Sequence, residues 1–111
     1  MKAIQIQETG GPDKLVVRDI DAPKLQPGDA LVQVKAAGIN FIDVYFREGR
    51  YPAQTPFVPG QEGAGVVLEV SDRVHNVKPG DRVAWCMVQG SYAEHAAVPA
   101  KLLVKDRKSV V

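Results

Sequence analysis

Cysteine is almost missing from this chain. Cys86 stands alone among 111 residues, which rules out an internal disulfide and suits a reducing compartment. Long apolar runs are missing too: no stretch approaches the ~18 residues that a membrane helix needs. Met1 to Gly11 carries one lysine and alternating polar residues, without the apolar centre of a secretory leader. Together these absences lead to the expectation of a cytoplasmic protein. Neither sign of charge is in surplus. With a formal net charge of +1, 24% charged and 45% hydrophobic residues, the composition is that of an ordinary globular domain, and it provides no electrostatic reason to bind nucleic acid or a membrane. A length of 111 residues suffices for one domain around one core and is too short for a two-domain nucleotide enzyme.

What is present is mostly strand and turn. Lys2 to Gln7 alternates, with Ala3 and Gln5 on one side and Ile4 and Ile6 on the other. Leu15 to Ile20 follows the breaker Gly10-Gly11-Pro12, and the two segments predict a first strand pair. Gln26-Pro27-Gly28-Asp29 leads into Ala30 to Ala36, and Lys78-Pro79-Gly80-Asp81 leads into Arg82 to Met87. Proline at the second turn position presets φ and glycine at the third accepts a positive φ, so each tetrapeptide predicts a type II turn that launches a strand. Gly63 to Ser71 alternates, with Ala64, Val66, Leu68 and Val70 on one face, while Tyr92 to Val98 and Lys101 to Lys105 are weaker strand candidates. This spacing predicts a mainly β fold class, as a barrel or closed sandwich.

One helix is predicted, near residues 41–48. Asn40 supplies its cap, Asp43 the acidic position of a capping box, and Gly49 the stop. Phe41, Val44 and Tyr45 share a face at helical spacing, and Asp43 and Arg47 stand four apart in the favourable order for an exposed ion pair. On that reading every polar residue of the helix has a structural role. Gly60-Gln61-Glu62-Gly63-Ala64-Gly65 is glycine-rich, yet a dinucleotide fingerprint follows a strand and opens a helix whose N-terminus holds the pyrophosphate. Here the β-branched pair Val66-Val67 comes next, so the glycines are expected to permit close backbone approach where a strand begins. No other segment offers such a fingerprint or a P-loop.

The segment AGINFIDVYFREGRYPAQTPFVPGQEGAGVV, from Ala37 to Val67, resembles the active-site edge of the medium-chain dehydrogenase/reductase superfamily, and within it the zinc-independent quinone reductase branch. The resemblance runs from Met1 to about Val104. It implies a GroES-like β-barrel over residues 1–111, the substrate-side domain of an enzyme whose NADPH lies mainly on a following Rossmann domain, absent from these residues. In zinc-containing members the metal is held by a Cys after a G-[VI] step, by the His of a G-H-E-G-A-G motif, and by the neighbouring Glu or a water. The matching positions here are Asn40 and Gln61, whose neutral amides are weak substitutes for thiolate and imidazole. Only Glu62 remains, so no zinc is expected. The cysteine-rich lobe that carries a structural zinc in many alcohol dehydrogenases has no counterpart, and His75 and His95 are too far apart to suggest a local ligand pair.

Loss of the metal removes a Lewis acid. A quinone tolerates that loss, because its conjugated ring accepts hydride or electrons readily and hydrogen-bond donors suffice for the delocalised oxyanion. In the quinone reductases the Asn, Asp and Tyr of I-N-F-I-D-V-Y lie beside nicotinamide and substrate. The resemblance therefore implies Asn40 for hydrogen bonding to substrate or nicotinamide, Asp43 for orientation of the site, and Tyr45 for its wall, with Asn40 and Tyr45 as the cofactor contacts. Enoyl-thioester reductases of the same superfamily carry a Tyr just after the helix-ending Gly, where its hydroxyl protonates the carbon next to the reduced double bond. Gly49-Arg50-Tyr51-Pro52 matches that placement, and a phenol, neutral at pH 7, suits the step. A Tyr before Pro is also an ordinary loop-packing residue.

The implied function is the substrate-side domain of an NADPH-dependent quinone reductase. An enone or enoyl-thioester reductase is the alternative within the superfamily, and a non-catalytic GroES-like module or truncated fragment is the third reading. Negligible turnover is expected of the isolated chain, because hydride transfer needs the cofactor held against the substrate. Family members are expected to continue through a proline-containing link where Lys105-Asp106-Arg107-Lys108-Ser109-Val110-Val111 closes this chain. A solvated basic tail is expected there, together with an uncovered apolar face that favours a homo-oligomer.

Overall fold

A computed structural model describes residues 1–106; Arg107 and Lys108 of the basic tail lie outside the described residues. The elements are β1 (Lys2–Gln5), β2 (Val16–Asp19), β3 (Asp29–Ala37), α1 (Phe41–Glu48), β4 (Glu62–Val70), β5 (Arg82–Cys86), β6 (His95–Pro99) and β7 (Val104–Lys105). β1 and β2 pair with each other, and the order β6-β3-β4-β5-β7 forms a second sheet, antiparallel throughout. The free edge of β1 joins the two: Ile4 N–H donates to Tyr92 O at 2.8 Å, and Glu94 N–H donates to Lys2 O at 3.0 Å. Ile6 and Phe57 exchange a further pair of bonds at 2.8 and 3.0 Å. An edge strand bonded on both sides exposes no open ladder. The fold is mainly β, as its turn spacing predicted.

The core is aliphatic and β-branched. Val32, Val67, Val83 and Val98 from four neighbouring strands meet Trp85 and Leu103, each buried side chain contributing roughly 1.5–3 kcal/mol of transfer free energy. The two Pro-Gly turns that start β3 and β5 are built alike. Asp29 N–H donates to Gln26 O at 3.0 Å and Asp81 N–H to Lys78 O at 3.1 Å. In return each aspartate Oδ2 accepts the N–H of the first turn residue at 3.0 Å. Gly28 and Gly80 have φ of 91° and 94°, the left-handed backbone that a type II turn requires.

Three expectations are corrected. Lys101 to Lys105 is largely a 3-10 turn, Ala100–Leu102, with only Val104–Lys105 as strand, because Leu103 N–H turns back to Ala100 O at 3.1 Å. β6 begins at His95; Tyr92 to Glu94 precede it and bond to β1. In β4 the buried residues are Gly65 and Val67, while Leu68, on the face with Ala64 and Val66, is exposed. A register shift opposite Leu31 and Val32 skips Leu68, so the alternation does not run unbroken along the strand.

Gly65 is where the sheet depends most closely on a missing side chain, since a Cβ there would overlap the Gln33 carbonyl oxygen of β3. At Gly80 a Cβ would meet nothing within 4 Å. Gly80→Ala is therefore expected to cost about 1–2 kcal/mol through φ alone, and Gly65→Ala about 3 kcal/mol or more, because backbone must separate from backbone. Urea midpoints at constant m measure both; equal losses would refute the close-approach account.

Candidate active site

β3 ends at Ala37, and three residues later α1 starts from an extended Asn40, with φ −131° and ψ 152°. The helix closes at Gly49, whose left-handed backbone (φ 86°) lets its N–H reach back to the last turn. At the start of the helix, Asp43 Oδ2 accepts the Asn40 backbone N–H at 3.0 Å. The same oxygen accepts the Tyr92 hydroxyl at 2.7 Å. The Asn40 side chain turns the other way, and its Nδ2 donates to Glu62 Oε1 at 3.0 Å. One network thus ties the head of α1 to the first residue of β4 and to the segment before β6.

The expected exposed ion pair between Asp43 and Arg47 does not form. Both residues are buried, and Asp43 gives its Oδ2 to Asn40 and Tyr92, leaving Oδ1 buried without a hydrogen-bond partner. The apolar side of the helix shows the opposite departure, because Phe41 is 83% exposed and the neighbouring Ile39 87%. α1 turns Asp43 and Arg47 inward, where Gly10 N–H also bonds Arg47 O at 2.9 Å. A small apolar cavity of about 250 Å³ opens beside the network, lined by Leu15, Ile39, Asn40, Asp43, Arg47 and Tyr92 among others.

Tyr45 and Tyr51 stand apart from that network as a second pair. Their rings meet edge to face with centroids 5.6 Å apart, and Tyr51 meets Phe46 in the same way at 5.6 Å. The Arg50 guanidinium lies 5.5 Å from the Tyr45 ring centroid. Among the described residues no hydrogen bond or ring contact joins this aromatic pair to Asn40 and Asp43, in keeping with the helical offset between Asp43 and Tyr45. Tyr51 remains 44% exposed, so it packs against the helix and still presents surface to solvent. Gln61 is buried and its amide nitrogen donates to the Gln89 side-chain oxygen. No three His, Cys, Asp or Glu side chains gather as a metal-binding group among the described residues.

The alcohol dehydrogenase GroES-like domain family matches residues 26–108. The chain belongs to this family. A probable quinone oxidoreductase of Schizosaccharomyces pombe is 40% identical over 108 residues, which are 96% of this chain and 33% of the yeast protein. Quinone oxidoreductase of Pseudomonas syringae superposes with a TM-score of 0.93 at 44% identity, covering 99% of this chain and 34% of that one. Escherichia coli quinone oxidoreductase, solved in complex with NADPH, superposes at 0.92 with 31% identity over 100% of this chain and 35% of its own. The chain spans about a third of the length of these relatives. The resemblance to quinone oxidoreductases of the medium-chain dehydrogenase/reductase superfamily, and the GroES-like fold it implied, are what the comparisons find.

Within the GroES-like domain, Tyr92 is the residue that local pattern missed. It lies 49 positions from Asp43 and reads in sequence only as part of a weak strand. Burial first, then the hydrogen bond and charge of Asp43, push its phenol well above the ordinary tyrosine value, so Tyr92 stays a donor at physiological pH. An acid group raised in the folded state adds stability that is complete below its unfolded pKa of about 10 and is lost as pH climbs through the higher folded value. Tyr92→Phe is expected to cost about 1–3 kcal/mol at pH 7, since it leaves a buried carboxylate short of a donor. It is also expected to flatten the fall in stability above pH ~10. Denaturation midpoints measured across that range check both; a variant as alkali-sensitive as the parent would contradict the assignment.

Proposed function

We propose that this domain is the substrate side of an NADPH-dependent reductase that delivers hydride to a quinone without a metal ion. The observation that carries this reading is the Asn40 amide. It is held by Glu62 and flanked in sequence by two exposed apolar residues, Ile39 and Phe41, at the position that the family resemblance matches to a zinc-ligating cysteine. Such an amide offers a neutral donor where oxygen gains negative charge, which suits an acceptor whose ring already delocalises that charge. Gln61, bonded to Gln89, supplies a second amide in place of a metal-binding imidazole.

When bound, NADPH supplies the hydride and its electron pair. The domain's own residues orient and exclude. Asn40 hydrogen-bonds the acceptor oxygen or the nicotinamide edge, Asp43 holds the head of the helix on which Asn40 sits, and Tyr45 forms a wall stiffened by Tyr51 and Arg50. The hydride adds to the quinone, whose oxygen takes a proton from solvent to complete a hydroquinone. The 111 residues hold no dinucleotide fingerprint, so the adenine and pyrophosphate contacts are assigned to a nucleotide domain outside them, in an enzyme placed in the cytoplasm. Self-association through the exposed apolar positions belongs to the same reading.

A second reading has its own observation, the exposed phenol of Tyr51 on the Tyr45 side of the helix. In an enone or enoyl-thioester reductase, hydride adds to the β-carbon and the Tyr51 hydroxyl protonates the α-carbon, which breaks the double bond with electrons balanced. Tyr51→Phe separates the two readings, because it slows alkene reduction and spares quinone reduction.

Calorimetric titration of the 111-residue chain with NADPH is expected to give no saturable heat; saturable binding would show that it holds a nucleotide site and would count against the divided enzyme. In a reductase carrying this domain, Asn40→Ala is expected to lower kcat/KM for a quinone by ~10²-fold. Unchanged NADPH oxidation at 340 nm would remove Asn40 from the reaction.

A further inference from the structure

We propose that Glu62 and Gly38 act together as positioning residues for the Asn40 amide, and that Gly38 is glycine in order to leave room for the Glu62 side chain. Two observations on the Glu62 side chain meet here. Glu62 Oε1 accepts Asn40 Nδ2 at 3.0 Å. A Cβ built on Gly38 would overlap Oε1, Cδ and Cγ of that same glutamate. Gly38 is not among the glycines with positive φ, so its backbone is one that any residue adopts, and conformational freedom gives no reason for glycine at this position.

The register explains how the three residues come together. Ala37 of β3 lies opposite Gly63 of β4, and Gly38 N–H donates to the Glu62 carbonyl at 3.2 Å. Glu62 therefore starts its strand directly beside Gly38, and its side chain must cross the bare glycine to reach Asn40, two residues further on. An ionised carboxylate only accepts hydrogen bonds. It forces the amide to turn nitrogen, never oxygen, toward β4, and it uses one of the two Nδ2 hydrogens. The other hydrogen is left in a fixed direction for a ligand, while Oδ1 faces the Asp43 backbone N–H of the capping box. A free amide would flip between two orientations that present opposite hydrogen-bonding patterns to the same ligand atom. The orientation stands on the geometry alone; its consequence for catalysis rests on the proposed role of Asn40.

The atoms that a Gly38 methyl would displace are the far end of a flexible side chain, not backbone. Gly38→Ala is thus expected to keep the fold and to swing Glu62 off Asn40, reproducing Glu62→Ala without altering either partner. The test is a ¹⁵N–¹H spectrum of the 111-residue chain, with the Asn40 Nδ2 signals identified by their loss in Asn40→Ala. Glu62→Ala and Gly38→Ala are each expected to move those signals to a common position, with no further movement in the double variant and the backbone spectrum otherwise native. Glu62→Gln, whose amide donates as well as accepts at the same reach, no longer dictates which end of the Asn40 amide faces β4 and is expected to move the signals toward the Glu62→Ala position. Unmoved Asn40 signals in Glu62→Ala or in Gly38→Ala would overturn the proposal, and so would an unfolded Gly38→Ala, since backbone would then be what the methyl strikes. In a reductase carrying the domain, both variants are expected to lower kcat/KM by roughly 10- to 10²-fold. If the signals move while turnover stays intact, the positioning role stands and the catalytic reading of Asn40 falls.

Discussion

One buried carboxylate oxygen, Asp43 Oδ2, holds together parts of the chain that the β-sheets alone leave separate. It takes a backbone hydrogen bond from Asn40 and a phenolic one from Tyr92, so the start of α1 and the segment before β6 share a single acceptor. Removing a charge from water costs several kcal/mol unless donors replace the lost hydration. The donors are consequently as necessary to Asp43 as Asp43 is to them. These bonds tie the head of the helix to the segment before β6, while the Asn40 side chain bonds Glu62 of β4.

The sheet supplies a second constraint of a different kind. Its strands pack through small and β-branched side chains, and at Gly65 the backbones of β3 and β4 approach too closely for any Cβ. Such contacts are stiff, because a displaced backbone must break ladder bonds to move. The polar network at the head of α1 is built on that stiffness. Glu62 opens β4, so its position is set by strand register, and the hydrogen bond to Asn40 transmits that register to the helix cap. The site is pinned from the sheet on one side and from Tyr92 on the other, while Ile39 and Phe41 remain on the surface.

Much of this architecture was legible locally. The repeated Pro-Gly-Asp turns proved alike down to the aspartate that closes each one, because proline and glycine act through their own φ and need no distant partner. The helix boundaries were legible for the same reason, with Asn40, Asp43 and Gly49 performing the capping roles their chemistry dictates. The helix faces were not. Spacing groups Phe41 with Val44 and Tyr45, yet the interior received Asp43 and Arg47, because periodicity says which residues share a side and not what that side meets.

The sequence by itself determined a mainly β fold, its turns, a capped helix, the family it belongs to, and the amides of Asn40 and Gln61. Tertiary structure alone decided what those groups do to one another. The bonds that define the site span 22 residues between Asn40 and Glu62 and 49 between Asp43 and Tyr92, and no local propensity encodes a partner at such a distance. Strand pairing brings these side chains within reach, and the cost of burying polar groups without partners then selects which of them bond.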